Sequence, residues 1–189
     1  MISIAAIKYW TLWFDFGHAF PVTQQTEARA PELDSIVVAP MASTEDARAF
    51  KDLNLEWIEA FFSIEPADLV TLDNPQAIVD GGGEVLIARL DGVAVGCVAL
   101  VQEHPGVFEL SKMAVSPHTR GRGIGRIVLA AALERVRALG AQELFLASNA
   151  RLASAVYLYE AMGFVHVPPS ELPPSPYDRA DVFMRYPLN

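Results

Sequence analysis

The segment from Met113 to Arg126, MAVSPHTRGRGIGR, is where residue types and spacing first suggest chemistry. Gly121, Gly123 and Gly125 can turn the backbone with no Cβ in the way, so successive N–H groups can converge on phosphate oxygens at the positive end of a helix. Arg120, Arg122 and Arg126 add positive charge around such an anion, and a pyrophosphate is the natural occupant. The alternative is a plain strand-to-helix turn with solvated arginines. The flanks favour the cradle: Phe108 to Val115 reads as a strand, and Ile127 to Leu139 as an amphipathic helix with Val128, Leu129, Ala132, Leu133 and Val136 on one side.

Two familiar phosphate sites are disfavoured. A dinucleotide fingerprint needs Gly-x-Gly-x-x-Gly and an acid at the end of the next strand, whereas here the glycines alternate and that strand ends in Ser148-Asn149. A P-loop needs a lysine and a hydroxyl residue directly after its last glycine, and Arg126-Ile127 stand there.

Arg120-x-x-Gly123-x-Gly125 after Val115-x-Pro117 resembles motif A of the GNAT superfamily of acetyl-CoA-dependent N-acetyltransferases. A second block, Ser148 to Phe164 with Asn149, Ala155, Leu158, Tyr159 and Gly163, is similar to motif B of that superfamily, in the right order and at the right distance. The resemblance covers about Ser35 to Asn189. It is strongest to a subgroup with Glu-Leu-x-Lys-Met-Ala-Val before the glycine loop and Tyr-(Asp/Glu)-Arg-Ala-Asp near the end, here Glu109 to Val115 and Tyr177 to Asp181. It implies an α/β fold whose mixed, mostly antiparallel sheet of about six to seven strands is flanked by helices. It also implies acetyl-CoA as acyl donor, bound along Met113, Ala114 and Val115 and over Arg120, Gly121, Arg122, Gly123, Ile124, Gly125 and Arg126.

Acetyl transfer to an amine needs a neutral nucleophile, a stabilised oxyanion and a proton for the departing thiolate. Glu109 is the candidate base: under simple alternation it shares a strand face with Ser111 and Met113, and motif alignment places it where several members of the superfamily carry their base. A glutamate paired with Lys112 or Arg89 on a solvated strand is the competing reading. The resemblance assigns the oxyanion to the Met113 main-chain N–H and the thiolate's proton to Tyr159, with core packing as the alternative for each side chain. Tyr157 lies roughly 200° around the same helix and should not share that task. Asn149 can bond the donor's amides or cap the helix expected from Arg151 to Met162. Acceptor contacts are expected from Trp57, Phe61, Phe62, Glu56 and Glu59 and from Tyr177, Asp178 and Arg179. A non-catalytic acyl-CoA sensor is the second functional reading.

The elements that must position these residues follow in orderly alternation. A strand at Ile36 to Ala39 precedes a helix capped at Ser43 or Thr44, and a weaker helical segment runs from Leu69 to Val79. Glu84 to Leu90 and Val93 to Val101 form a hairpin about Asp91-Gly92. Strands at Leu144 to Ala147, Phe164 to Val167 and Asp181 to Tyr186 complete the pattern, with a proline-rich loop from Pro168 to Pro176.

The 189 residues suit one domain over residues 35–189, preceded by an aromatic-rich arm over residues 1–34 that packs on the domain or a second subunit, or is poorly ordered. A net charge of −9 repels nucleic acid and anionic membrane, so the arginines serve a small anion. The acidic balance also suits a cationic amine, small molecule or peptide. One cysteine, Cys97, within an apolar run excludes an internal disulfide and fits a reducing cytoplasm. Four histidines without ligand spacing give no reason to expect a metal. No run is long and apolar enough to span a membrane, and a homodimer is compatible with the sequence.

Overall fold

The computed structural model describes residues 36–188. The arm over residues 1–34, with the packing expected of it, lies outside the described residues. Seven strands form one sheet: β1 (Ile36–Pro40), β2 (Glu84–Leu90), β3 (Val93–His104), β4 (Val107–Val115), β5 (Glu143–Ser148), β6 (Val165–His166) and β7 (Val182–Tyr186). Their order is β1-β2-β3-β4-β5-β7-β6, and every pairing is antiparallel except β4 with β5. The expected mixed, mostly antiparallel sheet is therefore what forms.

Helices cover both faces, which explains why β2 and β3 read as nearly continuous apolar runs. On one face α4 (Ile124–Ala138) and α5 (Ala153–Ala161) bury Leu86, Val98, Phe108, Leu110, Val128 and Met184. On the other, α1 (Thr44–Phe61) packs Phe50, Leu53 and Ile58 against Val85, Ile87, Cys97 and Ala114. Ser43 caps α1, its Oγ accepting from the Asp46 N–H at 3.1 Å. The tight hairpin forms as expected because Asp91 and Gly92 both take positive φ, 52° and 82°.

Three local readings need correction. The segment expected as one helix from Leu69 to Val79 is two, α2 (Pro66–Asp73) and α3 (Gln76–Asp80), because Pro75 lacks an N–H and disfavours helical backbone at Asn74. The helix expected from Ile127 begins three residues earlier, at Ile124, with Gly123 as its N-cap at φ 79°. The helix expected from Arg151 begins at Ala153, since Asn149 Oδ1 accepts from the Arg151 N–H at 2.8 Å and holds a turn there instead.

One irregularity matters more than these. Ser111 pairs with Ala99 and Ala114 with Cys97, so Lys112 and Met113 together oppose the single residue Val98. This is a β-bulge, and Lys112 takes φ 53° within it. The extra residue inverts the alternation of β4. Phe108 and Leu110 face the α4 core before it, Met113 and Val115 after it, while Ala114 joins the α1 core.

Gly125 marks a close approach of α4 to its neighbours: a Cβ there would lie 3.2 Å from Leu158 Cδ2 and 3.8 Å from both Met113 Cε and Val115 Cγ2. Gly125→Val should therefore destabilise the fold by about 1–3 kcal/mol, read as a lower urea midpoint with unchanged slope. A variant as stable as the parent would show that α4 is not held this closely.

Candidate active site

β4 and β5 pair only from Val107 with Glu143 to Glu109 with Phe145. Beyond that they part, β5 continuing with β7 as far as Ser148 opposite Val182. A cavity of about 730 Å³ opens into the gap, floored by Leu110 to Val115 and walled by Ala147 to Asn149 and the starts of α4 and α5. The β4 backbone past the bulge thus borders the cavity with no strand among the described residues beside it on that edge, leaving groups able to pair with an extended ligand.

At one end lies the glycine loop. Gly121 and Gly123 have φ of 76° and 79°, and a Cβ at either would meet nothing within 4 Å, so backbone conformation and not crowding demands glycine there. Ile124 and Gly125, whose N–H groups have no helical acceptor, line the cavity. Arg120 and Arg126 line it too, Arg120 steadied by donating Nε to the Val115 carbonyl at 3.2 Å. Of the residues expected to hold the donor, Arg122 alone is not in the lining; it is solvent-exposed between the two left-handed glycines.

Tyr159 lines the middle of the cavity, 7 % exposed, its ring 5.7 Å from that of Phe164. Burial pushes its phenol up to about 12, so the proton stays on at neutral pH. Tyr157, 69 % exposed, also borders the cavity mouth, although helical spacing pointed it elsewhere. Asn149 lines the wall as expected but is already engaged: Nδ2 donates to the Arg179 carbonyl at 2.6 Å, and Oδ1 accepts from the Arg151 N–H. It tethers the loop before β7 to the turn after β5.

Trp57, Phe61 and Phe62 from the end of α1, with Tyr177 and Arg179 from the loop before β7, line the far end. Glu56, Glu59 and Asp178, expected beside them, do not; the first two lie exposed on α1, and the Asp178 N–H donates to Glu65 Oε2 at 2.9 Å. Sequence reasoning missed the ion network behind this wall. Lys112 Nζ donates to Asp68 Oδ1 at 2.9 Å and to the Tyr177 hydroxyl at 2.6 Å, and Arg179 reaches both Asp68 oxygens at 2.6 and 2.8 Å. Glu65 Oε1 accepts a further bond from Arg179 at 3.1 Å. Burial alone would raise the Asp68 pKa, but hydrogen bonds from Arg179, the Glu65 backbone and Lys112 outweigh it and hold the carboxyl at about 2. The visible signal was the Glu65-Pro66-x-Asp68 helix start, which reads only as a cap.

Glu109 requires the main correction. The bulge puts Glu109 and Met113 on opposite faces, so the carboxylate is not in line with the Met113 edge. Glu109 lines instead a separate cavity of about 250 Å³ under the proline-rich loop, with Glu103, Phe145 and Pro173 to Pro176; Ala147 lines both cavities. It is not paired with Lys112 or Arg89 either: Lys112 holds Asp68, and Arg89 donates to Asp46. Burial, then repulsion from Glu103, push its carboxyl up to about 7, with Lys112 opposing.

A carboxyl raised on folding stabilises the protein at pH below its unfolded value, and that contribution is lost as pH rises through the folded value, here from 4.5 to about 7. Glu109→Gln removes the loss. The variant should be more stable than the parent by about 1–3 kcal/mol at pH 8, the gap closing at acid pH, as urea unfolding at both ends of the range would read. An equal gap at both would show that the carboxyl titrates normally.

Residues 48–164 match the family model of the acetyltransferase (GNAT) family. The chain is 34 % identical over 124 residues to the IAA acetyltransferase of Azospirillum brasilense, covering 64 % of this chain and 74 % of that one. The fold superposes on a GNAT-family acetyltransferase of Staphylococcus aureus Mu50 with TM-score 0.72 and 20 % identity, over 80 % of this chain and 98 % of the other. It likewise superposes on a GNAT-family acetyltransferase of Elizabethkingia anophelis solved with acetyl-CoA bound, with TM-score 0.56 and 17 % identity, over 82 % and 99 %. With a glycine loop, a split sheet and a family model agreeing over the same stretch, the chain belongs to the GNAT acetyltransferase family.

Proposed function

We propose that this chain is an N-acetyltransferase, moving acetyl from acetyl-CoA to a primary amine by direct attack in a ternary complex. The observation that carries the reading is the parting of β4 from β5, which sets an unpaired strand edge between the glycine loop and Tyr159. Acetyl-CoA would supply the acyl carbon and the leaving thiolate. The residues present fit it: an open loop of left-handed glycines with Arg120 and Arg126 suits a diphosphate, and the β4 edge suits an extended amide-bearing arm. As the amine nitrogen bonds to the acyl carbon, the carbon–sulfur bond breaks and negative charge builds on oxygen and then sulfur. The Met113 N–H is assigned to the oxygen, and Tyr159, protonated by its burial, to the sulfur.

No carboxylate among the described residues lines the cavity, and water is assigned as the acceptor of the amine's proton. Glu109 can receive it only through intervening water, because its cavity meets this one at Ala147. Cys97 is fully buried, its thiol pushed up to about 12 by burial, and so carries no acyl group. An acetyl-CoA-dependent reaction and a lone reduced thiol support a cytoplasmic location, and no helix among the described residues is long and apolar enough to cross a membrane.

Calorimetry of the full chain should show acetyl-CoA binding, weakened roughly tenfold by Arg120→Ala or Arg126→Ala as a charge-assisted phosphate contact is lost. Tyr159→Phe should lower kcat by roughly a hundredfold, read by thiol release, and leave the Kd for acetyl-CoA unchanged. Binding without turnover of any amine would instead support an acyl-CoA sensor. Full activity in the phenylalanine variant would remove the acid role.

A further inference from the structure

The cavity's charge is opposite in sign to that of the whole chain. Lys112, Arg120, Arg126, Arg151 and Arg179 line it, with no Asp or Glu among the described residues, although the chain carries a net charge of −9. Arg120 and Arg126 belong to the glycine loop and answer the donor's diphosphate. The other three converge on the opposite end. The Arg151 guanidinium lies 5.0 Å from the Phe62 ring centroid and the Arg179 guanidinium 5.6 Å from the same ring, and Arg179 is linked through Asp68 to Lys112.

The anions near these cations lie outside the cavity lining. Asp68 and Glu65 meet Lys112 and Arg179 from outside the lining, and Asp181 accepts from the Ala150 N–H at 2.8 Å beside Arg151, also outside it. Arg151 is exposed, with no carboxylate partner among the described residues. Surrounding cations also disfavour a second ammonium and so lower the pKa of an incoming amine, supplying part of what an absent carboxylate base would do. Trp57, Phe61 and Tyr177 leave the rest of this end aromatic.

We infer that the acceptor carries a carboxylate beside its amine on an apolar or aromatic body, as an apolar amino acid does, with Arg151 as the principal anion contact. The inference rests on the N-acetyltransferase reading and reverses the cationic amine that the net charge alone suggested. A polyamine would place two or more positive charges against a positive wall.

The test uses the full chain with acetyl-CoA and matched acceptors: phenylalanine, leucine and methionine, each beside its carboxamide, with spermidine as the polycation. Free amino acids should exceed their amides in kcat/KM by roughly tenfold or more, the scale of one charge-assisted contact. Arg151→Gln should bring each pair to within about threefold while the Kd for acetyl-CoA stays unchanged. Binding of N-acetylphenylalanine against its amide, measured by calorimetry with coenzyme A present, reads the same preference without turnover. Amides or spermidine accepted as well as or better than the acids overturn the inference. So does donor binding with neither turnover nor product binding in any pair, which leaves the donor site standing. A folded chain that binds no acetyl-CoA sinks the underlying reading itself.

Discussion

The parting of β4 from its parallel neighbour β5 is the constraint on which this molecule is organised, and the bulge at Lys112 and Met113 lies within the diverging stretch. An extra residue in one strand bends it and locally increases twist. β5 instead follows β7. The cleft that results puts backbone hydrogen-bonding groups at its edge, a cost that an extended ligand can offset.

The same bulge aims a lysine into the protein. The Lys112 ammonium is almost wholly buried and is tolerated because Asp68, equally buried, meets it and a tyrosine hydroxyl takes a second bond. Arg179 closes the network, its two nitrogens on the two Asp68 oxygens. Three distant pieces of chain, α2, β4 and the loop before β7, are thus tied at one point on the cavity wall. Burial works against the Arg179 charge, but Asp68 and Glu65 outweigh it and raise its pKa. The same contacts hold the Asp68 carboxyl at about 2, so the Asp68–Arg179 pair stays ionised at neutral pH.

Much of this was legible in residue order. The apolar run of β2, the alternating positions of β4, the Asp91-Gly92 turn and the Ser43 cap depend on neighbours a few residues away, and each formed where its pattern stood. The glycine loop was legible for the same reason, since positive φ is a demand of a single residue. Glu109 was misread because alternation was carried through a bulge that nothing in Ser111-Lys112-Met113 announces. Asn149 was seen as facing the cavity, but its engagement with the Arg179 carbonyl depends on a loop 30 residues later.

By itself, then, the order of residues determined most of the elements and the glycine loop, because these follow from contacts within a turn or a strand, and its two motifs pointed to the family. Only the tertiary structure decided which side of the sheet Glu109 faces and which charges share the far end of the cavity. Lys112 and Asp68 stand 44 residues apart, and Arg179 and Asp68 111. Which partners meet over such separations is set by packing of both sheet faces at once, and it is this that turned an acidic chain inside out at its site.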